Sequence, residues 1–255
     1  SQAANLRKTY LRYKEMDPYH PVMTALNNES VGFGGQRFID IALPDAYPIG
    51  SDKSSLSEII PAVRKAETLL NMGDPRSSVW IVPQMFTASM NHWNSFEPTY
   101  EQLRANVYGG LAAGARGVFY FAYWTHEPLA QGMSGNPARK FWYLPESKLW
   151  DRVGDLNKEL VDISPFIMHG KYVPVTSRNK GFIGCAWIHD GKAVVALVNT
   201  TGERIDRLPV TLPAELGDVS PIHGTQAKLT RLTGPGQAMI SLPAYGVAIY
   251  QGNVR

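Results

Sequence analysis

Two carboxylates in this sequence come shortly after predicted strands and are suited to acid–base chemistry. Asp45 follows the strand predicted at 37–41, and Glu127 follows the strand predicted at 117–122. Two carboxyl groups held in different protonation states can work as a general acid and a general base on one reacting bond. Asp40 lies inside a predicted strand, and we expect it to be a buried carboxylate with a structural hydrogen-bonding role.

Other familiar reactive motifs are absent from the sequence or stand in the wrong context. The six histidines lack the His-x-His and His-Glu-x-x-His spacings, so no metal site is predicted. Residues 132–135 come nearest to a serine nucleophile elbow, but no strand leads into them. The glycines of 32–35 precede a strand instead of joining a strand to a helix. Neither a phosphate-binding loop nor a cofactor is therefore predicted.

The composition limits the partners that this chain can have. The 255 residues are 44% hydrophobic, which supports a sizeable buried core, and 25 basic against 22 acidic residues give a net charge of +3. So balanced a charge does not favour a nucleic-acid partner. No apolar stretch reaches the roughly 18 residues of a membrane-spanning helix, so no membrane partner is predicted. The single cysteine, Cys185, cannot form an internal disulfide, and we expect it to be buried in a strand.

The first 170 residues alternate predicted strands with predicted helices. The strands fall at 20–26, 37–41, 79–82 and 117–122, and the helices at 5–15, 55–72, 99–115 and 147–163. Ser55 with Glu58, and Thr99 with Gln102, have the spacing of capping boxes at helix N-termini. Strands that alternate with helices favour βαβ units and a parallel sheet.

From residue 171 on, the pattern changes to short strands without helices. These strands are predicted at 182–188, 193–199, 208–212, 227–232, 238–242 and 247–250. Asp190-Gly191, between the first two of them, is a strong signal for a hairpin turn. The pattern predicts a small antiparallel β-sandwich, so the fold class is α/β followed by all-β.

The α/β part resembles the large retaining group of (β/α)8-barrel glycoside hydrolases, which is β-galactosidase-like. Met16-Asp17-Pro18-Tyr19-His20-Pro21-Val22 resembles the entry to strand five of these barrels, and Asp45-Ala46-Tyr47-Pro48 resembles the end of strand six. Residues 79–84 with the helix at 100–115 resemble unit seven, and 114–124 resembles strand eight with its substrate-stacking tryptophan. The resemblance implies the C-terminal half of a TIM (β/α)8 barrel, strands five to eight, at 1–170, and a β-sandwich domain at 171–255.

A half-barrel has a physical consequence for the partners of the chain. It leaves two strand edges unpaired and one apolar interior uncovered, which makes association with other chains favourable. We therefore expect an N-terminal half-barrel on another chain or segment. A self-dimer of two half-barrels is the alternative.

The resembled enzymes use two glutamates, at the ends of strands four and seven. In retaining hydrolysis the two carboxyl groups lie about 5–5.5 Å apart and act as acid/base and nucleophile. Strand four would precede Ser1, and the strand-seven position falls on Gln84. A glutamine amide cannot act as a nucleophile or a general base. Asp45 and Glu127 therefore remain as candidate catalytic residues, acting from shifted positions, including the wider inverting spacing of about 6.5–9.5 Å.

Several aromatic and polar residues near the predicted strand ends are candidates for sugar binding. Aromatic rings stack on the C–H faces of pyranoses, and amides bind hydroxyl groups. The candidates are Asn27, Tyr47, Gln84, His92, Trp93 and Trp124, although Trp124 also suits packing in a barrel core.

Taken together, the resemblance implies a glycoside hydrolase that acts on O-glycosidic bonds of a glycan. The alternatives are a catalytically inactive glycan-binding barrel that lacks the nucleophile at Gln84, and a pure assembly module. Enzymes with an appended sandwich are often exported, which favours a secreted or periplasmic location.

Overall fold

A computed structural model describes residues 2–26, 38–71, 77–86, 88–90, 93–95, 97–121, 124–126, 141–143, 149–225 and 227–255 of the chain. The helices are α1 (Gln2–Met16), α2 (Ile59–Asn71), α3 (Tyr100–Ala113) and α4 (Leu149–His169). The strands before α4 are β1 (Met23–Leu26), β2 (Ile41–Pro44), β3 (Ser78–Ile81), β4 (Ala88–Met90), β5 (Trp93–Ser95), β6 (Gly117–Val118), β7 (Trp124–His126) and β8 (Phe141–Tyr143). None of the helices in these ranges is long and apolar enough to cross a membrane.

Four of these strands form one parallel sheet, in the order β1-β2-β3-β6. Leu26 pairs with Pro44 at one end of the sheet, and Trp80 pairs with Gly117 at the other. Among the described residues, β1 and β6 each have a strand neighbour on one side only. Both edges of the sheet are therefore open within this part of the chain, and the parallel direction agrees with the predicted βαβ units.

The two faces of the parallel sheet pack against different partners. One face contacts α2 and α3 and contributes to the main core through Ala42, Val79 and Ile81. The alternate side chains point to the opposite face, as strand geometry requires. They form a smaller cluster of Ile41, Leu43 and Val82, with partly buried Met23, Tyr47 and Trp80 packed against it.

The second face remains open near β6. Val118 and Tyr120 pack against the main core, so alternation places Phe119 and Phe121 on the opposite face. These two phenylalanines are 44% and 46% exposed. Within the described part of the chain, the face opposite α2 and α3 is thus apolar and incompletely covered.

Helix α3 is buried on nearly every side. Thr99 caps it in the predicted capping box, because its hydroxyl accepts a hydrogen bond from the Gln102 backbone and the Gln102 side chain accepts one from the Thr99 backbone. A Cβ atom on Gly110 would lie 2.7 Å from the Ile81 side chain, and one on Gly109 would lie 3.8 Å from Thr200. Glycine at position 110 therefore lets α3 pack closely on the parallel sheet, whereas a Cβ on Gly109 would make an ordinary contact.

The close approach of α3 to β3 gives a prediction on stability. Gly110→Ala is expected to destabilise the protein by about 1–2 kcal/mol, because the added Cβ overlaps the branched part of Ile81 and overpacking outweighs the helix propensity gained. Gly154→Ala is the matched control in α4, where a Cβ meets nothing within 4 Å, and it is expected to stabilise by about 0.5–1 kcal/mol. Urea denaturation measures both, and equal stability changes would contradict the close α3–β3 contact.

The rest of the chain forms two antiparallel sheets. Its strands are β9 (Lys171–Val175), β10 (Phe182–His189), β11 (Lys192–Asn199), β12 (Ile205–Thr211), β13 (Leu216–Ile222), β14 (Thr230–Arg231), β15 (Gln237–Leu242) and β16 (Val247–Val254). One sheet has the order β13-β16-β11-β10-β9 and the other β12-β15-β14. The predicted hairpin at Asp190-Gly191 is confirmed, with φ of 48° and 71° and His189 paired with Lys192.

The five-stranded sheet is buried on both faces. Cys185 and Trp187 of β10 belong to the main core with the helices, and Cys185 is fully buried. Ala186 and Val195 belong to a second core, which is shared with the three-stranded sheet. Because one core runs from the helices into this sheet, the division of the chain at residue 171 stays a prediction.

Several strand positions differ from those expected from the sequence. Strand β2 spans Ile41–Pro44 in place of the predicted 37–41, and Asp40 directly precedes it, with its carboxylate bound to the Val22 N–H. Strands β9 and β13 were not predicted, and each contains a proline, Pro174 and Pro221. Both are the edge strands of their sheet, where a missing backbone N–H costs no ladder hydrogen bond.

Candidate functional site

Asp45 is the first residue after β2, at the carboxyl edge of the parallel sheet. Its backbone N–H donates to the Leu26 carbonyl at 2.9 Å, which extends the pairing of β1 and β2 by one step. Its half-buried carboxylate accepts a hydrogen bond from the Tyr47 hydroxyl. Burial raises the pKa of Tyr47 well above its ordinary value, and the hydrogen bond to Asp45 and the nearby carboxylate charge raise it further. Tyr47 is therefore a neutral donor at physiological pH.

Three aromatic rings meet beside this carboxylate. The Tyr47 and Phe121 rings are stacked with their centroids 5.8 Å apart and an interplanar angle of 22°. Phe86 contacts both rings edge-on, at 5.0 Å from Tyr47 and 5.6 Å from Phe121. Phe86 is buried while Phe121 is 46% exposed, so this aromatic cluster presents a partly open apolar surface next to Asp45.

Gln84 lies behind this cluster and is fully buried. Its Nε2 donates to the Ile49 carbonyl at 2.9 Å, and its Oε1 accepts from the Ile49 N–H at 3.1 Å. Gln84 also pairs with Phe121 through an isolated parallel bridge, which continues the sheet beyond β3 and β6. The amide of Gln84 is thus hydrogen-bonded to the protein backbone. That Gln84 binds substrate stays a prediction.

Asp40 lies at the opposite end of β2 and has the structural role expected of it. Its carboxylate accepts hydrogen bonds from the Val22 N–H at 2.7 Å and the Tyr10 hydroxyl at 2.9 Å, and pairs with Lys14 at 2.8 Å. Burial alone would raise the pKa of Asp40, but the hydrogen bonds from Lys14, Val22 and Tyr10 together lower it. Asp40 thus fixes α1 against the sheet, away from Asp45.

Of the remaining predicted site residues, the structure describes only Trp93 and Trp124. Asn27, His92 and Glu127 lie outside the described residues, so a pairing of Asp45 with Glu127 stays a prediction. Trp93 begins β5 and Trp124 begins β7, in two separate two-stranded sheets. Within the described residues, no group of three or more His, Cys, Asp or Glu side chains is arranged to hold a metal ion.

Phe86 and Phe121 join this site although the sequence did not single them out. Phe86 follows Gln84 by two residues, and Phe121 follows Phe119 by two. In extended chain, residues two apart lie on the same face, so this spacing was the available signal. The spacing alone does not reveal the contact, because Phe86 and Phe121 lie on two different segments whose pairing must first be known.

Comparisons with known proteins give similar solved structures but no sequence relative. No family model matches the chain, and no curated protein does. A maltogenic α-amylase, AmyB, from Thermotoga neapolitana superposes with a TM-score of 0.58 at 14% identity, covering 97% of this chain and 59% of that one. Amy13B from Eubacterium rectale gives 0.56 at 13%, covering 99% and 56%. An Anoxybacillus α-amylase gives 0.54 at 14%, also covering 99% and 56%.

These identities support a likeness of fold alone. The chain shares its fold with part of these α-amylase structures, and it spans a little over half of their length. The broad prediction of a glycoside hydrolase fold is therefore confirmed. None of the three is named as a β-galactosidase, so the comparisons do not support that group.

Proposed function

We propose that this chain belongs to a glycoside hydrolase that acts on O-glycosidic bonds of a glycan, with its site at the carboxyl edge of the parallel sheet. The observation that carries the proposal is the Asp45 carboxylate beside the ring of Tyr47. Barrel enzymes place their catalytic groups at this edge. Asp45 would supply one carboxyl group, Glu127 is proposed as the second, and the aromatic cluster would stack on a sugar ring.

We also propose that β1, β2, β3 and β6 are strands five to eight of a (β/α)8 barrel. The two open edges of the sheet and the exposed Phe119 and Phe121 support this, because a closed barrel would cover both. The coverage of 56–59% of the amylase structures supports it too. The proposed occupant of the open face is an N-terminal half-barrel, carried on another segment or another chain.

Sedimentation velocity combined with mass spectrometry tests the half-barrel. The protein isolated from its source should be heavier than one copy of this chain, and the extra mass should be a second set of strand–helix units. A symmetric dimer of this chain would contradict the proposed occupant. A stable monomer of these residues alone, with Phe119 and Phe121 open to solvent, would contradict the half-barrel itself.

A glycan panel tests the proposed activity. Because similar structures are named α-amylases, starch-type glucans come first in the panel, followed by β-linked galactosides and glucosides. Release of reducing sugar supports a hydrolase. Binding without turnover favours the catalytically inactive glycan-binding protein, for which the amide at Gln84 is the specific argument, since the resembled enzymes have a nucleophile there. If the protein neither binds nor turns over any glycan in the panel, both proposals are overturned and the assembly module remains.

A further inference from the structure

We propose that Gln84 is a positioning residue, whose side-chain amide holds the segment 45–49 so that Asp45 and Tyr47 face a substrate. This inference rests on the proposed function and changes the role of Gln84 from a lost nucleophile or a sugar ligand to a support for the carboxylate. The contact that carries it is the pair of hydrogen bonds between the Gln84 amide and the Ile49 backbone, named here the Gln84–Ile49 contact.

The geometry of this contact requires both a donor and an acceptor. Gln84 Nε2 lies 2.9 Å from the Ile49 carbonyl oxygen, and Gln84 Oε1 lies 3.1 Å from the Ile49 nitrogen. Both Gln84 and Ile49 are fully buried. A primary amide is the side-chain group that satisfies a backbone N–H and a backbone C=O at once without carrying charge. An unsatisfied buried backbone group would otherwise be costly.

The contact fixes one end of a short segment whose other end is already fixed. At its start, the Asp45 N–H donates to the Leu26 carbonyl, and at its end Ile49 is held by Gln84. Tyr47 lies between these two points and packs on Phe86, two residues beyond Gln84. The orientation of Asp45 and Tyr47 therefore depends on Gln84, although Gln84 itself is closed off from solvent.

The chemistry of the contact distinguishes an amide from a carboxylate. An ionised carboxylate at position 84 would present an acceptor to the Ile49 carbonyl and would place a charge in a fully buried position. A protonated carboxyl group has the same shape as the amide and can donate to the carbonyl while it accepts from the N–H. Gln84→Glu should therefore preserve the contact at low pH and break it as the introduced group ionises.

The experiment compares Gln84→Glu with Gln102→Glu across pH 4 to 8. Gln102 is also fully buried, donates to the Ser51 carbonyl at 2.9 Å and accepts from the Thr99 N–H at 3.0 Å. Gln102 lies in the first turn of α3 and holds Ser51, which is outside the segment 45–49, so it is a matched control for a buried amide. Burial raises the folded-state pKa of the group introduced at position 84 above its unfolded value. Stability relative to the parent is thus kept at low pH and lost as the pH rises.

For Gln84→Glu, the ratio of folded to unfolded protein, relative to the parent, should fall about tenfold per pH unit above the ordinary glutamate pKa until the folded-state pKa is reached. As the pH then rises through the folded-state pKa, the folded group ionises, so kcat per folded molecule on the glycan that the parent turns over should fall, and lowering the pH should restore it. Gln102→Glu loses the donor to the Ser51 carbonyl, so its stability should also fall as the pH rises, but its kcat per folded molecule should stay at the parent value. Amide and ring chemical shifts of Ile49 and Tyr47 should move with the same titration.

Two results would overturn the positioning role. Stability of Gln84→Glu that does not depend on pH relative to the parent would contradict the contact itself. A loss of stability with kcat and KM unchanged per folded molecule would make Gln84 merely structural. If the parent acts on no glycan, the proposed function fails, but the shifts of Ile49 and Tyr47 still decide whether Gln84 holds the segment.

Discussion

Asp45→Asn is expected to lower glycan turnover in the assembled protein by about 10²–10⁴-fold, because an amide cannot exchange a proton with the reacting bond. The protein should stay folded, since Asn has the shape of Asp and its carbonyl oxygen can still accept the hydrogen bond from Tyr47. Reducing-sugar release measures turnover, and thermal unfolding checks that the variant is folded. Turnover within twofold of the parent would remove Asp45 from the proposed mechanism.

Asp40→Asn is the matched control, because Asp40 directly precedes β2 and Asp45 directly follows it. The two positions are five residues apart, or roughly 16 Å along a strand, and Asp40 contacts α1 and not the aromatic cluster. Turnover per folded molecule should not change. Because the folded-state pKa of Asp40 is lowered, its contribution to stability is present above the unfolded pKa and is lost as the pH falls through the folded value. Asp40→Asn should lack this acid-dependent contribution.

The second large effect is expected at Arg104, which joins the helices to the antiparallel sheet. Its guanidinium pairs with Glu159 of α4 through Nε and Nη2, both at 2.9 Å, and donates to the Val247 carbonyl at 2.9 Å and the His223 carbonyl at 3.3 Å. Glu159 also accepts from the Tyr108 hydroxyl at 3.1 Å. Arg104→Met is expected to destabilise by about 3–5 kcal/mol, because it leaves a largely buried carboxylate without its counter-charge.

A double-mutant cycle isolates this interaction. Arg104→Met combined with Glu159→Leu should be less destabilising than the sum of the two single changes, because the second change removes the unpaired charge. Urea denaturation measures all four proteins. A cost below about 1 kcal/mol for Arg104→Met would indicate that the pair contributes no more than an exposed one.

Some features set by neighbouring residues were predictable from the sequence. The predicted capping box of Ser55 and Glu58 was wrong, because the Ser55 hydroxyl accepts from the Ser57 N–H at 3.3 Å and α2 begins only at Ile59. The capping box of Thr99 and Gln102 and the turn at Asp190-Gly191 depend on residues at most three apart, and both have the expected geometry. The alternation of strands and helices likewise predicted a parallel sheet, because each unit needs a helix to return the chain. Local chemistry and hydrophobic period therefore account for most of the element order.

Contacts between distant residues were not predictable in the same way. Gln84 meets Ile49 across 35 residues, and Arg104 meets Glu159 across 55. From the sequence, Gln84 could be compared only with the nucleophile of the resembled enzymes. Which backbone groups its amide binds depends on the segment that lies opposite. Only the pairing of the strands determines that, so the role of a polar residue at a strand end was open until the fold was known.

The most direct test of a glycan site at Asp45 is a crystal structure of the protein with an oligosaccharide that it binds. We expect a sugar hydroxyl or glycosidic oxygen about 2.7–3.2 Å from an Asp45 carboxylate oxygen, and a pyranose face against Tyr47 or Phe121. An oligosaccharide bound on the antiparallel sheets or near Asp40, with Asp45 and Tyr47 free of sugar, would contradict the site.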